Sequence, residues 1–378
     1  MKAVTYQGIK NIVVKDVPAP TLKKGDDIIV RLTTTAICGS DLHLIHGMVP
    51  NLEEDYIIGH EPMGVVEEVG PGVTKVKKGD RVIIPFNVSC GECFFCKSDL
   101  ESQCDKSNEN GDVGGFFGYS DLAGGYPGGQ AEYMRVPYAN FVPFKIPENS
   151  EVEDEKLCLI SDVMPTAFWS VDNAGVKQGD TVIVLGCGPV GLLVQKFCWL
   201  KGAKRVIAVD YVSYRLAHAK KHNHVETVNF EHHEDVGEYL KEITKGGADV
   251  VIDCVGMDGK MSPLEFVATG LKLHGGAMGA LVIAAQAVRK CGTIQVTGVY
   301  GGRYNAFPFG DIFMRNINLR TGQAPVIHYM PHMYELIAEG KVDPGDIITH
   351  VIPLDQAKHG YEVFDDKLED CIKVLLKP

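Results

Sequence analysis

A β-branched run that breaks into glycines and resumes as a helix constrains this chain more than any other stretch. Residues 181–210 read TVIVLGCGPVGLLVQKFCWLKGAKRVIAVD. The segment 182–185 is strand-like, Gly186 interrupts it, a helix-length segment runs to about Gly202, and a second strand-like run ends in Asp210. Gly186, Gly188 and Gly191 form G-x-G-x-x-G at the strand-to-helix turn. Missing β-carbons there permit a tight bend, close approach of a pyrophosphate and tight packing of helix on strand. The helix opened by Pro189 and Val190 presents free N–H groups to phosphates. A carboxylate at Asp210 can accept bonds from both hydroxyls of an adenosine ribose and would repel a 2′-phosphate, which favours NAD over NADP. Glycine triplets also occur in plain strand-turn-helix units, and a strand-end acid can simply be solvated. Strand, glycines, helix, strand and acid together point to dinucleotide binding.

At 378 residues the chain is long enough for roughly two domains, each with its own core. A formal charge of -12 without a basic block argues against nucleic acid and anionic membrane and leaves a small molecule as the partner. The amino terminus reads as a first strand rather than a signal peptide, and the longest uncharged run, 273–288, is too short and too glycine-rich for a bilayer span. A cytoplasmic protein is expected. In that setting 11 cysteines imply metal ligands and buried thiols rather than disulfides.

The first 150 or so residues read as all-β, with strands near 28–32, 63–69 and 81–84 separated by Gly, Pro and Asp turns. From about residue 160 strands and helices alternate. Strands are expected at 181–185, 206–209, 227–230, 249–253 and 293–299, and helices include 236–245 and 278–290, the pattern of a parallel sheet. His222, His224, His232 and His233 alternate with charged residues and read as a solvated face.

Two sets of metal-binding residue types stand out. Cys90, Cys93, Cys96 and Cys104 form a C-x2-C-x2-C-x7-C pattern in CGECFFCKSDLESQC. Four thiolates in one short lobe can close a tetrahedral shell around zinc and leave no open position, as in structural sites. An iron–sulfur cluster or a Cys-rich loop are the alternatives, though the ferredoxin spacing is not matched. The second set is dispersed: Cys38 in AICGSDLHLIHG, His60 and Glu61 in GHEPMG, and Asp162 in LCLISDVMPT. Catalytic zinc needs about three protein ligands and one open position, and a thiolate, an imidazole and a carboxylate would supply the three. Singly, Cys38 could be a core thiol, His60 a turn histidine and Asp162 a helix N-cap, and spacing alone does not choose.

In order and interval, CGSDLH, GHEPMGVVEEVGPGV, the four-cysteine lobe and VLGCGPVGL resemble the zinc-dependent medium-chain alcohol dehydrogenase family over essentially the whole chain. That resemblance implies an α/β protein: a GroES-like β-rich catalytic domain over 1–160 carrying the structural-zinc lobe, a Rossmann-type doubly wound parallel sheet over 161–322 for NAD, and a return segment, 323–378, completing the catalytic domain. It implies two zinc ions per chain, with Cys38, His60 and Asp162 on the catalytic one; Glu61 either approaches that metal or serves as a turn or outer carboxylate. Asp162 departs from the cysteine of the best-known members and the glutamate of polyol dehydrogenases. Together with ICGSDLH and the long insertion after DCVG, it is similar to the glutathione-independent formaldehyde dehydrogenase branch.

Ser40 and His43, on residues alone a turn serine and a surface histidine, become by that resemblance a hydroxyl and an imidazole that pass a proton from substrate toward solvent. Asp41 is expected to stabilise its loop. Phe86 resembles an aromatic wall of the substrate pocket, Thr166 a residue touching the nicotinamide, and Val255 joins the coenzyme site. Arg215 is open between the adenosine ribose and a solvated position, and Lys373 stands where the family often has a basic residue near the pyrophosphate.

The expected reaction is hydride transfer from a small alcohol or hydrated aldehyde of the formaldehyde type to NAD. A polyol or amino-alcohol dehydrogenase is the alternative within the family. A non-catalytic NAD- and zinc-binding protein would have lost a ligand or relay residue, whereas all are present. A homo-oligomer, dimer or tetramer, is expected. The insertion 257–279 is expected either to fold over the dinucleotide or to serve a subunit interface.

Overall fold

The computed structural model describes residues 1–49, 52–109, 111–259, 277–301, 304 and 307–378. Most of the segment expected to cover the dinucleotide therefore lies outside the described residues. The chain divides into two compact units, Met1–Pro165 with Ala324–Pro378, and Thr166–Gln323. The division falls past Asp162 rather than at 160/161, so this aspartate shares a unit with Cys38 and His60.

The first unit is built on antiparallel pairing. Strands β1 (Lys2–Tyr6) and β2 (Ile12–Asp16) pair with each other. A larger sheet is founded on β3 (Ile28–Ile37), β4 (Glu61–Val69) and β5 (Arg81–Ile83). β6 (Asn87–Val88) and β7 (Gly115–Phe116) form a separate two-stranded piece. β8 (Tyr133–Val136) pairs with β3, and β9 (Phe144–Lys145) with β5. Ile28, Val30 and Leu32 alternate onto one face of β3 and bury against Val66, Val82, Met134 and Val136, each stabilising by about 1.5–3 kcal/mol relative to exposure. β3 runs past the expected 28–32 because Thr33, Thr34, Thr35 and Ile37 continue the β-branched run. Its register sets Ala36 opposite Glu61, which brings the end of β3 beside the start of β4. The expectation of an all-β region misses the helix Gly39–Ile45, whose start is secured by the Asp41 carboxylate accepting the Cys38 N–H at 2.9 Å.

The second unit is a six-stranded parallel sheet. Its strands are β10 (Thr181–Leu185), β11 (Arg205–Asp210), β12 (Glu226–Asn229), β13 (Ala248–Asp253), β14 (Val288–Val296) and β15 (Asn318–Thr321). The order β12-β11-β10-β13-β14-β15 reverses direction of growth between β10 and β13, the doubly wound arrangement. Every residue of β10 is buried, as a central parallel strand requires. The expected helix 278–290 stops at Ala287, and β14 starts at Val288 instead of 293. In the first unit, β16 (Ile348–Pro353) lies parallel to β17 (Lys373–Lys377), which pairs antiparallel with β3. Among the described residues no helix is long and apolar enough to cross a membrane.

Candidate active site and metal centres

β3 ends one residue before Cys38 and β4 begins one residue after His60, so the sheet register alone draws these two side chains together. Asp162 follows a short turn of helix, Leu159–Ser161, and comes in from the opposite direction along the chain. The ligand atoms of Cys38, His60, Glu61 and Asp162 lie within 4.8 Å of one another, and all four residues are buried. Cys38 Sγ is 3.7 Å and His60 Nε2 3.3 Å from Asp162 Oδ2. Burial raises the Cys38 thiol above its ordinary range. Burial alone would lower His60, but Asp41, Cys38 and Asp162 around it hold it well above its ordinary value. Sulfur, imidazole and carboxylate thus gather in one buried cluster, a donor set suited to zinc.

His60 Nδ1 sits 3.0 Å from Asp41 Oδ1. Asp41 therefore does more than steady its loop: its carboxylate pairs with the imidazole whose Nε2 faces Asp162. Gln130 Nε2 donates to Asp41 Oδ2 at 3.3 Å, and Tyr361 OH donates to Gln130 Oε1 at 2.9 Å. Glu61 is fully buried and ion-paired to Lys373, whose ammonium also donates to the Ile37 carbonyl at 3.0 Å. Burial pushes Glu61 up to about 7, against the pull of Lys373. Lys373, which the resemblance sets near the coenzyme pyrophosphate, has Glu61 as its partner here. A buried carboxylate demands a countercharge, and β17 lies where it supplies one.

Phe86 packs edge-on against Phe116 at 5.3 Å and against His60 at 6.2 Å between ring centres, which sets it beside the ligand set. Ser40 Oγ is 4.0 Å from Cys38 Sγ. His43 is 5% exposed, less than Ser40, so the imidazole is not the surface group that the sequence suggested. Its Nδ1 lies 3.4 Å from the hydroxyl of Tyr119, a residue absent from the sequence reading. Burial pushes Tyr119 up to about 12. Its only signal in the sequence is an aromatic inside a glycine-rich loop.

In the four-cysteine lobe, Cys90 Sγ is 3.9 Å from Cys96 Sγ and Cys93 Sγ 3.9 Å from Cys104 Sγ. A Zn–S bond of about 2.3 Å places the sulfurs of a regular tetrahedron about 3.8 Å apart, so the lobe has the dimensions of a zinc shell. Backbone N–H groups of Glu92 and Cys93 point at Cys90 Sγ at 3.4 Å, as suits thiolates.

In the second unit, Gly186 has φ 92°, and a β-carbon on Gly191 would meet the Gly186 carbonyl oxygen at 1.9 Å. A β-carbon on Gly188 would meet nothing nearer than Arg215 Nη1 at 3.9 Å. Two glycines are thus demanded by the turn itself, and the third keeps a space open. Gly188 caps the helix Pro189–Leu200, with Pro189 at its first position followed by Val190. Arg215, partly exposed on the helix Ser213–Asn223, carries its Nη1 near this turn. Val255 packs beside Gly186, and Thr166 is half-buried in the helix Val163–Ala174. Asp210 is largely committed to backbone: Oδ2 accepts Cys187 N–H at 2.7 Å, and Oδ1 accepts those of Tyr211 and Val212 at 2.7 and 2.9 Å. His222, His224 and His232 are exposed, while His233 stacks on Tyr239 at 3.8 Å.

Comparison with known proteins shows that residues 24–148 match the alcohol dehydrogenase GroES-like domain and residues 189–273 a zinc-binding dehydrogenase domain. An uncharacterized zinc-type alcohol dehydrogenase-like protein of Bacillus subtilis is 75% identical over the full length of both chains. A glutathione-independent formaldehyde dehydrogenase of Bacillus subtilis is 33% identical over 96% of this chain and 94% of its own. Among solved structures, an alcohol dehydrogenase from Thermus sp. ATN1 superimposes with a TM-score of 0.84 and 33% identity, over 100% of this chain and 99% of that one.

Proposed function

The chain belongs to the zinc-dependent medium-chain alcohol dehydrogenase family, and from that premise we propose that it oxidises a small primary alcohol or a hydrated aldehyde with NAD as hydride acceptor. The observation that carries this reading is the buried Cys38, His60 and Asp162 set beside Ser40, His43 and Phe86. When bound there, zinc supplies Lewis acidity to the substrate oxygen, and NAD supplies the acceptor carbon. Cys38, His60 and Asp162 would hold that ion, with Glu61 at the border of the set, and Cys90, Cys93, Cys96 and Cys104 a second, structural one. Asp41 orients His60. Phe86 and Phe116 keep water from the reacting carbon and favour a compact substrate. Ser40 takes the proton that the alcohol loses, and His43 receives it.

Gly186, Gly188, Gly191 and the start of the helix at Pro189 and Val190 accommodate the pyrophosphate of the dinucleotide, with Val255, Thr166 and Arg215 around it. Asp210 supports NAD over NADP because a second anion, the 2′-phosphate, would meet a carboxylate already anchored in place. The Asp162 ligand and the formaldehyde dehydrogenase relatives favour a small hydrated aldehyde over a polyol. A panel of formaldehyde, ethanol, benzyl alcohol, sorbitol and threonine, each with NAD and with NADP, tests this reading. Formaldehyde or a primary alcohol turned over with NAD at least tenfold more efficiently than the rest is expected. Preference for sorbitol or threonine, or equal use of both coenzymes, would overturn the substrate or the coenzyme assignment respectively.

The edge strand β15 is exposed along its whole length, and Phe309, Phe313 and Met314 are 63%, 69% and 78% exposed nearby in sequence. Among the described residues no strand pairs with the outer side of β15, and that edge with exposed aromatics supports association of this unit with a second copy, so a homo-oligomer is part of the proposal.

A further inference from the structure

Ser120 has φ 74° and ψ 175°, a region that only glycine enters without cost. Its side chain is 2% exposed, and its hydroxyl has no hydrogen-bond partner among the described residues. Strain and an unsatisfied buried hydroxyl together are a penalty that the surrounding loop sustains. The loop is pressed into place: a β-carbon on Gly118 would meet the Gly59 carbonyl oxygen at 2.4 Å, directly beside His60. The Gly118 N–H donates to Tyr126 O at 2.8 Å, and the Ser120 carbonyl accepts the Gly125 N–H at 3.2 Å. Between Gly118 and Ser120 the backbone has one side chain to aim, and that is Tyr119. Its hydroxyl arrives 3.4 Å from His43 Nδ1, long for a hydrogen bond but of a length common before substrate tightens a site.

We propose that Tyr119 is the positioning residue of the proton path, its hydroxyl holding Nδ1 of His43 so that Nε2 is the nitrogen presented to the departing proton. The proposal rests on the reading of His43 as a proton acceptor given above. With the neutral ring, the Tyr119 oxygen accepts the Nδ1–H, which leaves Nε2 as the lone-pair nitrogen. When Nε2 takes the proton, the imidazolium still donates Nδ1–H to the same oxygen. No bond of Tyr119 is broken in either state, so it acts through the ring and not on substrate.

Tyr119→Phe tests this, since it keeps the ring in place and removes only the hydroxyl. With zinc-loaded protein, kcat is expected to fall about tenfold with KM changed less than twofold, in the range that outer partners of catalytic groups contribute. In a His43→Ala background the same substitution is expected to have no further effect. Selective 15N-histidine labelling, with His43 assigned by its loss in His43→Ala, reads the tautomer without turnover. Nδ1 is expected to be protonated in the parent, and the two nitrogens are expected to move toward averaged shifts in Tyr119→Phe. An unchanged His43 spectrum, or equal loss of kcat in both backgrounds, would overturn the proposal. If His43→Ala itself leaves kcat intact, the relay reading of His43 fails, while the tautomer measurement still judges the contact. As a check on the loop, Ser120→Gly is expected to raise the melting temperature, with His43 shifts as in the parent; a lower melting temperature would contradict the strain on which the argument stands.

Discussion

Gly188 and Gly191 stand three residues apart in one motif yet have different reasons to be glycine. A β-carbon at 191 would lie 1.9 Å from a carbonyl oxygen, whereas one at 188 is 3.9 Å from a mobile guanidinium and φ there is -72°. Gly191→Ala is therefore expected to cost about 2–4 kcal/mol of stability, since backbone must shift. Gly188→Ala is expected to change stability by no more than about 0.5 kcal/mol while weakening NADH binding at least tenfold, because the methyl group fills the space left for the pyrophosphate. Thermal melts and NADH fluorescence titrations of the two variants separate the cases. The ligand sets divide in the same way. His60→Ala is expected to remove one zinc per chain and abolish turnover with the melting temperature nearly kept, as only an open site is lost. Cys96→Ser is expected to remove the other zinc and lower the melting temperature, because a closed shell that helps hold its lobe is broken. Metal analysis beside the melts distinguishes them.

At the scale of elements, the parallel sheet is tied at its lower corner by one carboxylate. Asp249 on β13 accepts the Thr181 N–H of β10 at 2.8 Å and pairs with Arg289 of β14 at 2.7 Å, so it joins three neighbouring strands. Burial pushes its carboxyl up, but the Thr181 N–H and the Arg289 guanidinium outweigh burial and hold it below the ordinary 3.8. A depressed carboxylate contributes stability above its unfolded pKa and loses it as pH falls through the folded one. Asp249→Asn is accordingly expected to be less stable than the parent from pH 5 upward, with the gap closing below about pH 3.8. Urea midpoints measured across that range would show it; a gap independent of pH would mean that the lost interaction is not ionic. Among the described residues the same sheet ends at the edge strand β15. Phe313→Asp is expected to shift gel-filtration mass toward the single chain of 41.2 kDa, and an unchanged mass would place the contact elsewhere.

Over the whole molecule, the features that the sequence determined by itself are those whose parts lie close together along the chain. The glycine turn between β10 and its helix needs only local backbone geometry, and the strand–helix alternation around it is set by side-chain periodicity. The four lobe cysteines span few residues, so little loop entropy opposes their meeting, and their spacing already described a closed shell. Cys38, His60 and Asp162 were legible as candidates but not as a cluster, because each also had an ordinary reading and a helix or several strands lie between them along the chain. What joins them is the register that sets Ala36 opposite Glu61, together with the turn at Leu159–Ser161. Tertiary structure alone decided that Asp41 pairs with His60, that Lys373 answers Glu61, that His43 is buried, and that Tyr119 reaches it. The physical reason is common to all four. A buried charge or ring takes its partner from whichever element the fold packs against it, and that choice depends on contacts between distant residues rather than on the local pattern around either one.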